Sequence, residues 1–163
     1  MYARAPVRRR PTKEFRMTPR LNPHQADPQA MRAVLALQAY VDDCGLEHSL
    51  IELVKIRASQ INGCAYCLHM HTADARKHGE TEVRLHLLAA WRESSLYSER
   101  ERAALAWTEA LTRLPDTQAP DADYALLNAH FSPAEQTRLT VAICTINTWN
   151  RIAVGFRSQH PQD

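Results

Sequence analysis

The sequence lacks the features that mark membrane, secreted and nucleic-acid-binding proteins. Its 163 residues contain no apolar run close to the ~20 residues that a membrane span requires. The net charge is only +2, which does not indicate a nucleic acid or a membrane surface as a partner. The N-terminus has no apolar segment of the kind found in signal peptides. We therefore predict a cytoplasmic protein that binds neither nucleic acid nor membrane.

Cysteine is also scarce. Four cysteines, at positions 44, 64, 67 and 144, are too few for a disulfide scaffold in a chain of this length. In a reducing compartment a close pair of cysteines indicates either redox chemistry or a metal site. The apolar fraction of 45% is ordinary for a globular protein, so the chain has enough apolar material for one domain with a core.

Residues 1–16 differ from the rest of the chain. They are rich in Arg and Pro and contain one acidic residue, Glu14. A flexible basic extension is favoured over a basic arm for nucleic acid, and Met17 resembles a natural start. The predicted domain spans residues 17–160.

Helical signals fill that domain, and no segment alternates as a strand does. Asp27 and Pro28 form a good helix start, and Ser98 and Ser132 each begin a capping box. The predicted helices span residues 27–45, 50–61, 65–78, 82–91, 98–115, 120–131 and 132–156. The pattern predicts an all-α, single-domain bundle of about six to seven helices.

The last predicted helix is apolar around most of its circumference. Such a helix is normally buried. In a small domain it is buried either at the centre of a monomer or at a subunit interface, and the interface is favoured. We therefore predict a homo-oligomer.

The segment "NGCAYCLHMH", residues 62–71, contains the main candidate site. Cys64, Cys67 and His71 follow a spacing of three and four residues, which places them on one face of a helix. Asn62 and Gly63 break the preceding helix, so Cys64 lies at or near a helix start. There the helix dipole favours a thiolate. Glu52, on the preceding helix, could reach Cys64 or orient His71. Together these groups could form a proton relay that activates a thiol.

Simpler interpretations apply to other residues. Cys44 and Cys144 have no such neighbours and are expected to be small buried apolar residues. His69 is offset from the face of the cysteines and is expected to be solvated. A zinc site built from Cys64, Cys67, His71 and Glu52 is a less favoured alternative, because no second close Cys/His pair exists.

The residues Glu52, Cys64, Cys67 and His71 fit the pattern Glu-x11-Cys-x2-Cys-x3-His. With the surrounding words "LVKIRASQINGCAYCLHMHTADARKHGE" and "INTWNRIAVGFR", the chain resembles the AhpD-like alkylhydroperoxidases of the carboxymuconolactone decarboxylase superfamily. The resemblance extends over residues 17–157. It implies an AhpD-like helical fold and a thiol peroxidase that reduces organic hydroperoxides.

The resemblance also implies a role for each residue. Cys67 would attack the peroxide and become a sulfenic acid, while Cys64 would supply a proton and then form a disulfide with Cys67. Glu52 and His71 would form the relay that deprotonates the thiols. An external dithiol, in the family a lipoyl-bearing protein or its adaptor, would reduce the pair. No cofactor and no bound metal are expected.

The chain departs from the family pattern at Tyr66, where the type member has a histidine. A phenol is a poor base at neutral pH, so either Glu52 and His71 suffice or the peroxidase is weaker. Single-copy relatives resemble the decarboxylase in forming trimers or hexamers. The alternatives are a carboxymuconolactone-decarboxylase-like enzyme, which would not need the Cys pair, and a non-enzymatic redox or metal sensor.

Overall fold

The structure is a computed structural model that describes residues 17–161. Over this range the chain forms nine α-helices and one 3-10 helix, with no β-strand. The helices are α1 (Pro23–Ala26), α2 (Pro28–Asp42), α3 (His48–Asn62), α4 (Ala65–Lys77), α5 (Glu82–Leu87), a 3-10 helix (Leu88–Glu93), α6 (Glu99–Thr112), α7 (Leu114–Thr117), α8 (Asp121–His130) and α9 (Pro133–Phe156). The all-α prediction is confirmed.

The predicted number of six to seven helices is too low. Helices α1 and α7 have four residues each, so a single turn offers no apolar periodicity to detect. Pro115 was expected to stop a helix, but α6 ends at Thr112 and Pro115 lies in the first turn of α7. The helix predicted over residues 82–91 is α5 followed by the 3-10 helix, with non-helical backbone at Ala90.

The helix starts with the clearest sequence signals are confirmed. The Ser98 hydroxyl accepts the Glu101 backbone N–H, and the Glu101 carboxylate accepts the Ser98 N–H. Ser132 and Glu135 form the same reciprocal pair at the start of α9. Each box satisfies two backbone donors that have no partner within the helix, so both starts are well defined.

Helix α3 is the centre of the fold and packs against α4, α6 and α9. Ten consecutive residues of α3, from Leu50 to Ser59, are buried. This stretch includes four polar or charged residues, so their side chains need partners inside the protein. Glu52, Lys55 and Ser59 find their partners in and around the candidate site, whereas Arg57 pairs with Glu109 of α6.

Two clusters of apolar side chains occupy different ends of α3. Towards its start, Leu50 and Val54 pack with Trp107 of α6 and with residues of α9. Towards its end, Ala58 packs with the two cysteines at the start of α4 and with Ile146 and Ala153 of α9. Helix α9 therefore contacts both clusters, and its second half lies beside the cysteines.

Only one face of α9 is buried in the chain. Leu139, Ile143 and Ile146 belong to the core, whereas Cys144 and Arg151 are exposed. The expectation that Cys144 is buried is therefore wrong, because its side of α9 faces away from the core. Cys44 is buried, as expected.

Helix α2 has a more extensive exposed apolar surface. Its buried residues are Met31 and Val41, while Leu35, Leu37 and Tyr40 are between 37% and 48% exposed. Leu35 lines the cavity described below, whereas Leu37 and Tyr40, three residues apart, share another side of the helix. Exposed apolar side chains that share a helix face are a common mark of a protein contact. The predicted homo-oligomer thus has a candidate interface on α2 in addition to α9, and assembly stays a prediction.

Residues 1–16, predicted to be a flexible basic extension, lie outside the described residues. Within residues 17–161, no helix has the length and apolarity needed to cross a membrane.

Candidate functional site

A sharp break between α3 and α4 positions the first cysteine. Gly63 ends α3 in the left-handed conformation with φ of 65°, which glycine adopts without strain. The next backbone N–H, of Cys64, donates to the Ser59 carbonyl at 3.0 Å. Cys64 is the N-cap of α4, and its sulfur accepts the Cys67 backbone N–H at 3.4 Å. The predicted position at a helix start is confirmed.

The two cysteines form a close pair of free thiols. Their sulfurs lie 2.7 Å apart, farther than the ~2.05 Å of a disulfide bond. Both side chains are buried, at 1% and 2% exposure. The pair is therefore placed for a disulfide to form after a small movement.

The pKa values of the two thiols are shifted in opposite directions. A hydrogen bond from the Cys67 thiol, which outweighs burial, lowers the pKa of Cys64 to about 7; the Cys67 backbone N–H and the Asn150 amide add to it. The pKa of Cys67 is raised, because its thiol donates that bond and is itself buried. The first negative charge of the pair is thus held by Cys64, stabilised by the remaining proton on Cys67.

Glu52 connects His71 to a buried lysine. The Glu52 carboxylate accepts Nδ1–H of His71 at 2.9 Å and Nζ of Lys55 at 3.0 Å. All three side chains are less than 10% exposed. Burial opposes the charged form of Glu52, but the His71 hydrogen bond and the charges of His71 and Lys55 outweigh it, so its pKa lies below the usual range. Because the carboxylate only accepts, Nδ1 carries a proton and Nε2 is the nitrogen free to exchange one.

A cavity of about 670 Å³ opens beside this arrangement. Its polar lining includes Glu52, Lys55 and His71, and its wall includes Cys67 but not Cys64. Much of the remaining wall is apolar. These apolar residues are Pro19, Leu21, Pro23, Leu35, Met70, Trp149, Ile152, Ala153 and Phe156. A molecule in this cavity would thus meet Cys67 rather than Cys64.

One wall of the cavity comes from the N-terminal end of the described chain. The Arg20 backbone N–H donates to the Phe156 carbonyl at 3.0 Å, and Arg20 Nη1 donates to the Gly155 carbonyl at 3.0 Å. These bonds attach the segment before α1 to the end of α9. Pro19 and Leu21 on either side of Arg20 line the cavity.

The structure brings the four predicted residues together in two contacts, Cys64 with Cys67 and Glu52 with His71. His69 is exposed, as expected, and Tyr66 is 38% exposed at the cavity. No group of three or more His, Cys, Asp or Glu side chains in residues 17–161 is arranged to hold a metal ion. The zinc alternative therefore gains no support.

Sequence reasoning missed three residues near the site. Lys55 was not considered, although its spacing of three residues from Glu52 on one helix permits an ion pair. Ser59 and Asn150 are buried next to the thiols, at 0% and 1% exposure, and hydrogen-bond to each other at 3.0 Å. The available signal for Asn150 was a polar residue between Ile146 and Ala153 on an otherwise apolar helix face.

Known proteins resemble the chain in sequence and fold. The model of the "carboxymuconolactone decarboxylase family" matches residues 28–110. The uncharacterised protein YdfG of Bacillus subtilis is 39% identical over 140 residues, covering 86% of this chain and 95% of its own. A protein of unknown function from Agrobacterium tumefaciens, described as a candidate AhpD antioxidant defence protein, is 52% identical. Its crystal structure superposes with a TM-score of 0.88 over 90% of this chain and 100% of its own.

A more distant similarity concerns the fold alone. The apo structure of the debrominase Bmp8 is 21% identical, with a TM-score of 0.77 over 85% of this chain and 74% of its own.

Proposed function

Because the chain belongs to the carboxymuconolactone decarboxylase family, as an AhpD-like member, we propose that it is a thiol-dependent peroxidase that reduces organic hydroperoxides. One observation carries this proposal. Cys67 lines a cavity that also contains the His71–Glu52 pair, and its sulfur lies 2.7 Å from that of Cys64. A reactive thiol beside a resolving thiol is the arrangement needed for reversible oxidation by peroxide.

The reaction starts with a proton transfer between the two sulfurs. Cys64 holds the negative charge in the resting pair, and Cys67 holds the proton. As the peroxide approaches, the Cys64 thiolate takes the proton of Cys67 across the 2.7 Å contact. Cys67 becomes the nucleophile only when the substrate is in the cavity, so the sulfur that lines the cavity is protected from unproductive oxidation.

The attack on the peroxide and the formation of the disulfide then proceed with the two cysteines as the electron donors. The Cys67 thiolate bonds to the terminal oxygen of ROOH, the O–O bond breaks, and RO⁻ takes a proton from Cys64 to leave as ROH. Cys67 is now a sulfenic acid. The Cys64 thiolate attacks its sulfur, forms the disulfide and releases hydroxide, which takes a proton that His71 delivers from solvent and becomes water. Two thiols are oxidised and one hydroperoxide is reduced.

His71 and Glu52 support the proton movements. Glu52 holds Nδ1–H of His71 at 2.9 Å, which fixes the ring and leaves Nε2 to exchange a proton. His71 lines the cavity with Cys67. It can supply the proton for the released hydroxide, and the hydrogen bond from His71 together with Lys55 keeps the Glu52 carboxylate ionised.

The cavity supports an organic rather than a small inorganic substrate. Its volume of about 670 Å³ falls in the range of ligand sites of about 300–1,000 Å³. Apolar residues from both ends of the chain supply much of its wall. A bulky apolar hydroperoxide would bury its organic part there and place the O–O group near Cys67.

A dithiol would complete the cycle. Reduction of the disulfide requires attack by an external thiolate and a second thiol to release it, so the reductant is a dithiol such as a lipoyl group. Entry through the cavity would bring it first to Cys67. Disulfide exchange with such a dithiol is thus the last step of the proposed reaction.

The two alternatives make different demands on the cysteines. A lactone decarboxylase of the kind named by the family does not use a redox-active pair, so it would leave the Cys64–Cys67 contact without a purpose. A thiol sensor would be oxidised once by peroxide and would not turn over at a useful rate with a small dithiol.

A peroxidase assay tests the proposal. Cumene hydroperoxide consumption with dihydrolipoamide should show multiple turnovers for the wild type and none for Cys67→Ser. Cys144→Ser is the matched control, since that cysteine is exposed and lies away from the pair. Consumption of one equivalent by the wild type would favour the sensor. No consumption, or equal rates in Cys67→Ser, would overturn the peroxidase.

A further inference from the structure

A continuous series of side-chain hydrogen bonds runs from the middle of α9 to the underside of the thiol pair. Asn62 donates to Oδ1 of Asn147 at 3.0 Å and to Oδ1 of Asn150 at 2.9 Å. Asn150 Nδ2 then donates to Ser59 Oγ at 3.0 Å. None of these residues lines the cavity. The series therefore approaches the cysteines from the interior of the protein.

Backbone carbonyls determine the orientation of every group in this series. Asn147 Nδ2 donates to the Ile143 carbonyl at 2.9 Å, and Ser59 Oγ donates to the Lys55 carbonyl at 2.7 Å. A carbonyl oxygen can only accept, so at one end Asn147 must present its oxygen to Asn62. At the other end the Ser59 hydroxyl has used its proton and must accept from Asn150. No amide in the series can be reversed without losing a bond at one end.

One hydrogen-bond donor is left over. The amide nitrogen of Asn150 carries two hydrogens, and Ser59 takes one of them. Asn150 is 1% exposed, so water does not take the other. Ile146 and Ala153, four residues before it and three after it on α9, pack in the same cluster as Cys64 and Cys67. The face of α9 that carries Asn150 therefore faces the sulfurs, and hydrogen bonding by its amide favours a lower pKa for each thiol.

We propose that this amide series is a positioning device that holds Asn150 with its second N–H directed at the thiol pair, where it donates to whichever sulfur is ionised. The charge moves from Cys64 to Cys67 as the reaction begins, and one fixed donor beside both sulfurs stabilises it at either position. In this device Asn150 is the group that donates to the sulfurs, whereas Asn62 and Asn147 position it.

The amide series would serve the proposed peroxidase reaction, so its catalytic role rests on the proposed function. Its test, however, needs no peroxide. Ionisation of the thiols can be followed in fully reduced protein by thiolate absorbance and by the pH dependence of iodoacetamide alkylation. The role of Asn150 and the peroxidase activity can therefore be disproved independently of each other.

The charged groups that line the cavity with Cys67 must stay constant in such a test. They include Glu52 and Lys55 on α3, His71 and Asp74 on α4, and Asp42 at the end of α2. On α9 the nearby charged residue is Arg151, which is exposed and donates to Asn147. None of them is altered in the variants below.

The main variant is Asn150→Leu, which keeps the approximate volume and removes the donor. The midpoint of thiolate formation should rise by about one pH unit, as expected for the loss of a hydrogen bond to a charged acceptor. Asn150→Asp keeps an acceptor for Asn62 but places a carboxylate beside the sulfurs, so its midpoint should rise further.

Two more variants distinguish a change in the orientation of the Asn150 amide from general destabilisation of the protein. Asn62→Ala frees Asn150 to turn and should raise the midpoint by less than Asn150→Leu. Because Asn62 is only partly buried, this variant tests the device even if Asn150→Leu does not fold. Thr145→Val is the matched control. It removes a buried hydroxyl from the same helix, bonded only to the Val141 carbonyl, and should leave the midpoint unchanged.

An unchanged midpoint in the folded Asn150 variants, or in Asn62→Ala if those do not fold, would overturn the inference. An equal shift in Thr145→Val would also overturn it, because the effect would then follow from any polar loss in α9.

Discussion

Cys64 and Cys67 have sulfurs 2.7 Å apart, but Cys67 alone of the two contributes to the cavity wall. One sulfur thus carries the negative charge, and its neighbour is the sulfur that a substrate can reach. The helix start and the hydrogen bond from Cys67 favour a thiolate at Cys64, whereas the cavity admits a substrate to Cys67. This division reconciles the helix-dipole argument, which favours Cys64 as the reactive group, with the family resemblance, which favours Cys67.

The first prediction concerns which sulfur is oxidised. In Cys64→Ser, one equivalent of cumene hydroperoxide should leave a sulfenic acid at residue 67, which lines the cavity. This acid should form more slowly than in the wild type, because the thiolate that takes the Cys67 proton is gone, and it should persist because the resolving partner is gone. Mass spectrometry after a sulfenic-acid probe would detect the label. Cys67→Ser should remain unlabelled. Labelling in Cys67→Ser alone would exchange the two roles.

The second prediction concerns pH dependence. The pKa of Cys64 is lowered to about 7, so the thiolate should be lost as the pH falls through 7, and alkylation should slow below it. Removal of the main cause, the Cys67 thiol, in Cys67→Ala should move the midpoint up towards the value of an ordinary cysteine, about 8.5. Thiolate absorbance in a pH titration would measure both. A midpoint in Cys67→Ala equal to that of the wild type would show that the pair does not share its proton.

The third prediction concerns the buried charges. Glu52→Gln should lower the free energy of unfolding by about 2–3 kcal/mol, because it leaves the buried ammonium of Lys55 with only the longer 3.8 Å contact to the exposed Asp42 carboxylate. The double variant with Lys55→Met should regain much of that loss. Urea unfolding would measure these changes. Glu82→Gln, which breaks the exposed pair with Arg76, is the control and should have little effect. Equal losses in the single and double variants would contradict the ion-pair explanation.

The fourth prediction concerns assembly. Light scattering at micromolar concentration should give the mass of a trimer or hexamer, with the exposed apolar face of α2 in the interface. Leu37→Glu combined with Tyr40→Glu should reduce the mass, because it places charges on that face. Val83→Glu, at an apolar position on α5 that is 54% exposed, should leave the mass unchanged. A monomeric wild type would disprove the assembly itself.

Local patterns were sufficient to predict most helices and the close contacts of the site. Ser98 and Ser132 carry complete capping boxes, and the spacing of Cys64, Cys67 and His71 determines their shared helix face. The contact between Glu52 and His71 needed one further step, the reversal of the chain at Gly63.

Other features depend on distant parts of the chain. Lys55 and Asn150 belong to the site because α3 lies between α4 and α9, a packing arrangement that no short pattern encodes. The exposure of Cys144 likewise depends on which side of α9 meets the core. Single-turn helices such as α1 are too short to show a period.

The attachment of Arg20 to the end of α9 has a consequence for measurement. Its backbone N–H is bonded to the Phe156 carbonyl, and its neighbours Pro19 and Leu21 form part of the cavity wall. Opening of that wall must break this bond, whereas opening elsewhere in the bundle need not. The rate of hydrogen exchange at the Arg20 amide would therefore report how often this wall opens and admits bulky molecules to Cys67, independently of global unfolding.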